Sequence, residues 1–123
     1  MSLHDRRQAL ERGARAERVV ADALEADGWS IRSRNWRGGG GELDLVVQRR
    51  DVLRFVEVKA RAPSDPTLED AVTPGKQRKL TRAATAWMLE NGTADECAFM
   101  VALVRFHDEG WSIDWIDDAF DAG

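Results

Sequence analysis

Residues 41–61 read GELDLVVQRRDVLRFVEVKAR. Two apolar-rich runs, 42–48 and 53–60, flank a short polar turn around Arg49, Arg50 and Asp51, the pattern of a β-hairpin. Period-2 alternation puts Glu42 and Asp44 on one face of the first strand, and Glu57 and Lys59 on one face of the second. If a two- or four-residue turn is centred between Arg50 and Asp51, Asp44 faces Glu57 and Glu42 faces Lys59. The other side then sets Leu43 opposite Val58 and Leu45 opposite Val56. One face is apolar, and the other gathers three carboxylates around one ammonium.

Outward from the hairpin, helix and strand patterns alternate. Residues 5–27 carry Leu10, Gly13, Ala14, Val20, Ala21 and Leu24 on one side of a helix, and Gly28 stands ready to end it. In residues 29–36, WSIRSRNW, Trp29 and Ile31 alternate with Arg32 and Arg34 as in a half-exposed strand. The glycine run Gly38 to Gly41 follows. Downstream, residues 62–66 (APSDP) form a loop. Thr73 as N-cap and Pro74 at the first helical position open a second helix that runs to about Glu90 and stops at Asn91 and Gly92. Residues 98–106 are a continuous apolar run of strand length, buried on both faces. A turn at 108–110 leads into a last alternating strand, 111–116. The order αβββαββ specifies an α/β layer fold with a mixed sheet, in one domain spanning residues 1–123.

Composition narrows the function classes. The chain has 123 residues, 43% hydrophobic and 33% charged, the balance of a soluble globular protein rather than a disordered tail. No stretch approaches the roughly 20 apolar residues of a membrane span. The N-terminal MSLHDRRQALERG has no apolar segment of the signal-peptide kind. Cys97 is the single cysteine, which excludes an internal disulfide and a cysteine-based zinc site. A cytoplasmic location is the expectation. The net charge of −4 is unevenly spread: residues 1–92 hold 17 Lys and Arg against 14 acids, whereas residues 93–123 hold one Arg against eight acids. That excludes a tight, sequence-independent DNA coat and leaves transient phosphate contact to the first part.

The carboxylates carry the chemical reading. Two of them about 5 Å apart repel by roughly 3 kcal/mol at an effective dielectric near 20, and like charges directly opposite destabilise a sheet. A divalent cation relieves this, since hard oxygen ligands suit Mg²⁺ or Mn²⁺. An ion-pair ladder with Lys59, Arg54 and Arg61 relieves it as well. Glu17 tips the balance: it sits near the centre of the apolar stripe of the first helix, where an unpaired charge costs several kcal/mol. It is either in a buried ion pair with Lys59 or an arginine, or an additional metal or water ligand beside Asp44 and Glu57.

Asp44 followed by Glu57-Val58-Lys59, in a hairpin behind a helix, resembles the PD-(D/E)XK nuclease superfamily. A longer ordered set narrows this. Gly13-x-x-Ala16-Glu17, then Arg34-Asn35-Trp36-Arg37, GELDL at 41–45, FVEVKAR at 55–61 and VTPGKQ at 72–77 together resemble the YraN family, over roughly residues 10 to 116. Members of that family are expected to be endonucleases related to archaeal Holliday-junction resolvases. The resemblance implies a restriction-endonuclease-like three-layer fold around a mixed sheet of about five strands. It implies Asp44, Glu57 and Lys59 as the catalytic set. Mg²⁺ or Mn²⁺ would be held by Asp44 and Glu57, helped by the Val58 carbonyl and by Glu17, with Lys59 beside the attacking water. Leu43 stands where the superfamily signature has proline.

Weaker features surround this set. Arg32, Arg34 and Arg37 lead into the glycine run, which is either a flexible hairpin loop or a place for close phosphate approach. Lys76 and Lys79 begin the second helix, as phosphate contacts or as a solvated basic end. Arg34, Arg37, Arg61, Lys76 and Lys79 are therefore the candidate nucleic-acid-binding residues. Trp29, Trp87, Trp111 and Trp115 fall at core-facing positions, whereas Trp36 stands beside the arginines. The reading is a divalent-metal-dependent endonuclease whose partner is nucleic acid, DNA ahead of RNA, with branched or structured DNA in view. The relationship to resolvases admits a homodimer, because two symmetric cuts need two sites. The alternative is a non-catalytic nucleic-acid-associated adaptor that keeps the fold and binds a protein partner through its acidic C-terminal part.

Overall fold

The computed structural model describes residues 2–61 and 73–117. It arranges them as α1 (Leu3–Ala26), β1 (Ser30–Gly38), β2 (Gly41–Arg49), β3 (Val52–Arg61), α2 (Pro74–Asn91), β4 (Glu96–His107) and β5 (Gly110–Asp117). The loop expected at 62–66, and Val72 of the second-helix motif, lie outside the described residues. The strands form one mixed sheet in chain order, antiparallel at every pair except β3–β4, which is parallel. A parallel pair cannot be closed by a tight turn, and α2 lies in the crossover. Among the described residues no helix is long and apolar enough to cross a membrane.

Each sheet face buries one helix. On one side Ala16, Val20, Ala21 and Leu24 of α1 pack with Leu45, Val56, Ala102 and Val104. On the other, Leu80, Ala83, Ala84 and Trp87 of α2 pack with Leu43, Val46, Phe55 and Phe99. The result is the three-layer α/β arrangement with a five-stranded mixed sheet. α1 opens on a capping box, in which Ser2 Oγ accepts from the Asp5 amide at 3.1 Å. Its buried residues begin only at Ala16. Leu10, expected in the apolar stripe, is 75% exposed, and Ala14 is exposed too, because only the C-terminal half of the helix closes onto the sheet.

The hairpin register agrees with the sequence-derived one from Arg49↔Val52 to Leu45↔Val56, across a turn in which Arg50 has φ 55°. Beyond Leu45 the expected pairing fails. Leu43 packs on the α2 face and Leu45 on the α1 face, although residues two apart share a face in a regular strand. The irregularity lies at Asp44, opposite Asn35. Asn35 has φ 49° and is skipped in the β1–β2 register between Arg34↔Leu45 and Trp36↔Leu43. Glu42 therefore pairs with Arg37 across β1, not with Lys59, and Leu43 is not set against Val58.

One further expectation is corrected. Trp29 and Trp87 are buried, but Trp111 and Trp115 are 54% and 43% exposed, because β5 is an edge strand lying beyond the main reach of α1. Of the two readings of the glycine run, the hairpin turn is the one observed. Gly39 and Gly40, with φ 60° and 82°, form the tight β1–β2 turn. A Cβ on Gly39 would lie 2.5 Å from the Arg82 carbonyl oxygen, and one on Gly41 would lie 2.7 Å from that of Lys79. The hairpin thus seats directly on the backbone of α2. Gly39→Ala combines a collision with left-handed strain and is expected to cost about 2–4 kcal/mol in chemical denaturation. Gly40→Ala, which meets open space, should cost only about 1–2 kcal/mol.

Candidate functional site

The site grows from the place where the β2–β3 ladder ends. Past Leu45↔Val56 the Val58 amide donates to Asp44 Oδ2 at 2.8 Å, so a side chain takes the position of a strand partner. β3 itself continues, paired with β4 as far as Arg61↔Arg105. The two strands therefore part on one side only and form a fork lined by Asp44, Glu57 and Val58.

Glu57 is 7% exposed, one of two buried charged residues among those described, the other being Arg54. Its Oε1 accepts from Lys59 Nζ at 3.0 Å and from Lys76 Nζ at 2.8 Å. Lys59 lies two residues along the same strand, so alternation points both side chains to the α2 side. Lys76 arrives from the first turn of α2, whose N-cap is fixed by the Lys76 amide donating to Thr73 Oγ1 at 3.3 Å. Both ammoniums take the same oxygen of Glu57.

Burial acts on Asp44, Lys59 and Lys76 in the fork and on Glu17 beside it. Asp44 is pushed up to about 7, chiefly by burial and then by the Glu57 charge, with the Val58 amide pulling the other way. Burial, and then the neighbouring Lys76, lower Lys59 against the attraction of Glu57. Lys76 is raised on balance: burial opposes its charge, but contact with Glu57 and Lys59 outweighs this. Glu17 on α1 is raised by burial and by Glu42 and Glu57, while a hydrogen bond with Asn35 holds it down. The Lys59 ammonium is taken by Glu57, and Glu17 hydrogen-bonds Asn35 instead. The signal for Asn35 is its residue type, one of the few besides glycine that accept a left-handed backbone.

The candidate nucleic-acid residues separate into groups. Lys76 belongs to the fork. Lys79 lies on exposed α2 surface, lining a basic groove of about 570 Å³ with Lys76, Arg78 and Arg82. Arg61 ends β3 and lines a second groove with Lys59. Arg34 is held by Glu25 at 3.5 Å and Arg37 by Glu42 at 3.5 Å.

The donor set suits a hard cation. Glu57 lies close enough to Asp44 to raise the cost of ionising it, a conflict that a divalent ion removes. Among the described residues no three acidic, histidine or cysteine side chains form a ready-made cage. Mg²⁺ ordinarily takes only one or two carboxylates and keeps several waters, so the pair is sufficient in kind.

Comparison with known proteins gives the family. The family model described as "Uncharacterised protein family UPF0102" matches residues 16–107, a span holding Glu17, Asp44, Glu57, Lys59 and Lys76. A UPF0102 protein of Methylocella silvestris is 44% identical over 84 residues, covering 68% of this chain and 67% of that protein. A UPF0102 protein of Aliivibrio salmonicida is 37% identical over 114 residues, covering 91% and 93%. One from Nitratidesulfovibrio vulgaris is 39% identical over 113 residues, covering 89% and 83%. With three-quarters of its length inside the family model and relatives matched over most of theirs, the chain belongs to the UPF0102 family, the YraN family that its motifs resemble.

Proposed function

We propose that the protein is a divalent-metal-dependent endonuclease that hydrolyses phosphodiester bonds in DNA, branched or structured DNA being the substrate to test first. One observation carries the reading: two carboxylates and two ammoniums meet in a half-buried fork at the end of a strand ladder. Asp44 and Glu57 would hold Mg²⁺ or Mn²⁺, with the Val58 carbonyl and Glu17 as the further oxygen donors. When bound, such an ion polarises the scissile phosphate and lowers the pKa of a coordinated water. Lys59 donates hydrogen bonds to the water and to a non-bridging phosphate oxygen, and so offsets the charge that develops on phosphorus. Its role here is that of a donor, because Glu57 at 3.0 Å accepts from the ammonium, although burial and Lys76 lower Lys59 from its ordinary value. Lys76 holds Glu57 from the other side and offers a second cation to the phosphate.

The second reading, a non-catalytic adaptor, draws on the same ion pairs: Lys59 and Lys76 already compensate Glu57 without a metal. Calorimetric titration of Mn²⁺ separates the two. Asp44→Asn keeps an acceptor for the Val58 amide but loses the anionic ligand, and should weaken Mn²⁺ binding at least tenfold in a folded protein. It should also lose cleavage of branched DNA. Absence of Mn²⁺ binding in the unmodified protein, with and without oligonucleotide, would leave the adaptor.

Two further outcomes follow from the same charges. The carboxyl of Asp44 titrates near 7 in the fold, above its ordinary value of 3.8. Its contribution to metal-free stability is therefore complete below about pH 4 and lost as pH rises through about 7, by roughly 1–3 kcal/mol. Denaturation across this range should show the decline in the unmodified protein and a flatter profile in Asp44→Asn. Lys76→Met removes an ammonium that competes with metal for Glu57, and should tighten Mn²⁺ binding by about tenfold, a gain of roughly 1.4 kcal/mol.

A further inference from the structure

A groove of about 540 Å³ runs between α1 and the end of β3, on the side of the sheet away from α2. Arg12 and Gly13 form one wall, Lys59, Ala60 and Arg61 the other, and Phe106 of β4 lies in it. The Arg15 guanidinium stacks on the Phe106 ring, 4.6 Å from its centroid. Val58 belongs to both features: its amide bonds Asp44 in the fork, and its side chain packs on the α1 face where the groove lies. Arg12 was not among the residues singled out in the sequence. No spacing marks it, since its meaning depends on the end of β3 lying beneath that turn of α1.

Gly13 supplies the second observation. A glycine inside a helix costs about 1 kcal/mol relative to alanine. Close packing is the usual reason for one, yet a Cβ built here meets nothing within 4 Å. Its backbone is helical, so no turn demands it either. The missing side chain leaves open space, and that space is the groove. Arg12, Arg15 and Arg61, one aromatic ring and a vacated helix position match the recognition of a nucleic-acid strand through its phosphates and one base face. The Arg15 guanidinium covers one face of the Phe106 ring, so a base stacking there would take its place, which suits a base that is not paired in a duplex.

We propose that this groove seats a single-stranded nucleic-acid segment and leads it to the fork, with phosphates on Arg12 and Arg61 and a base against Phe106. The proposal rests on the nuclease reading and adds the strandedness of the substrate. Fluorescence anisotropy in metal-free buffer tests it, with one labelled oligonucleotide offered single-stranded and as a duplex. The single strand is expected to bind at least tenfold more tightly than the duplex. Gly13→Trp fills the groove without removing a charge, and Phe106→Ala removes the stacking face; each should weaken single-strand binding roughly tenfold. Gly13→Ala should bind as the unmodified protein does and melt at a slightly higher temperature. Equal affinity for the two forms, or unaltered binding in Gly13→Trp and Phe106→Ala when both retain the circular dichroism of the unmodified protein, overturns the proposal. Mn²⁺ titration of the same variants keeps the two ideas apart. Normal metal binding with unaltered oligonucleotide affinity rejects the groove alone. Lost single-strand binding in Gly13→Trp upholds the groove even where no metal binds.

Discussion

The hydrogen bond from the Val58 amide to the Asp44 carboxylate is the point on which the local architecture turns. A backbone donor at that depth needs a partner, and by providing one from a side chain the protein ends the β2–β3 ladder without leaving the amide unpaired. β4 still holds the other edge of β3, so the strand stays extended while its neighbour departs. The departing strand carries Leu43 to the α2 side, and the kink is matched across β1 by the left-handed Asn35. Burial of Asp44, the reach of Asn35 toward Glu17 and the opening occupied by Glu57 all follow from that one substitution of partner.

The electrostatics of the fork are balanced without being relaxed. Glu57 lies almost wholly out of solvent, and both lysines lean on a single one of its oxygens. Asp44, beside it, makes no such ion pair among the described residues, and burial drives it toward neutrality. The contrast with Arg54 is instructive. That guanidinium, equally buried, is met by Glu96 at 3.0 Å and Asp117 at 3.2 Å, and it braces β3, β4 and β5 as a structural pairing should. Opposite charges are matched around Arg54. In the fork, two acids are held together.

Much of this was legible in the sequence. Period-2 alternation and the polar turn at Arg50 and Asp51 specify five hairpin pairs, and Thr73 with Pro74 marks the start of α2. Glu57 and Lys59 announce themselves as charges inside an apolar strand. Other features depend on what packs against what, which periodicity does not encode. Leu43 and Leu45 look like one face until Asn35 adopts a positive φ. Trp111 and Trp115 alternate as core residues do, but core is decided by what covers a strand, and β5 is the last in the sheet. Lys76 looks like a phosphate contact because the crossover that carries it back to Glu57 is a tertiary fact.

The strand order has its own bearing on how the chain assembles. Three of the four strand pairs are joined by a turn of two residues, at 39–40, 50–51 and 108–109, so most of the sheet zips from local contacts. Only the β3–β4 pairing joins residues about forty positions apart, and it alone bears the entropy of closing a long loop. The two acids of the fork lie on the local side of that step, and Lys76 lies within the loop itself. The chain therefore brings its like charges together through its shortest-range contacts and delivers one of their counter-charges through its longest.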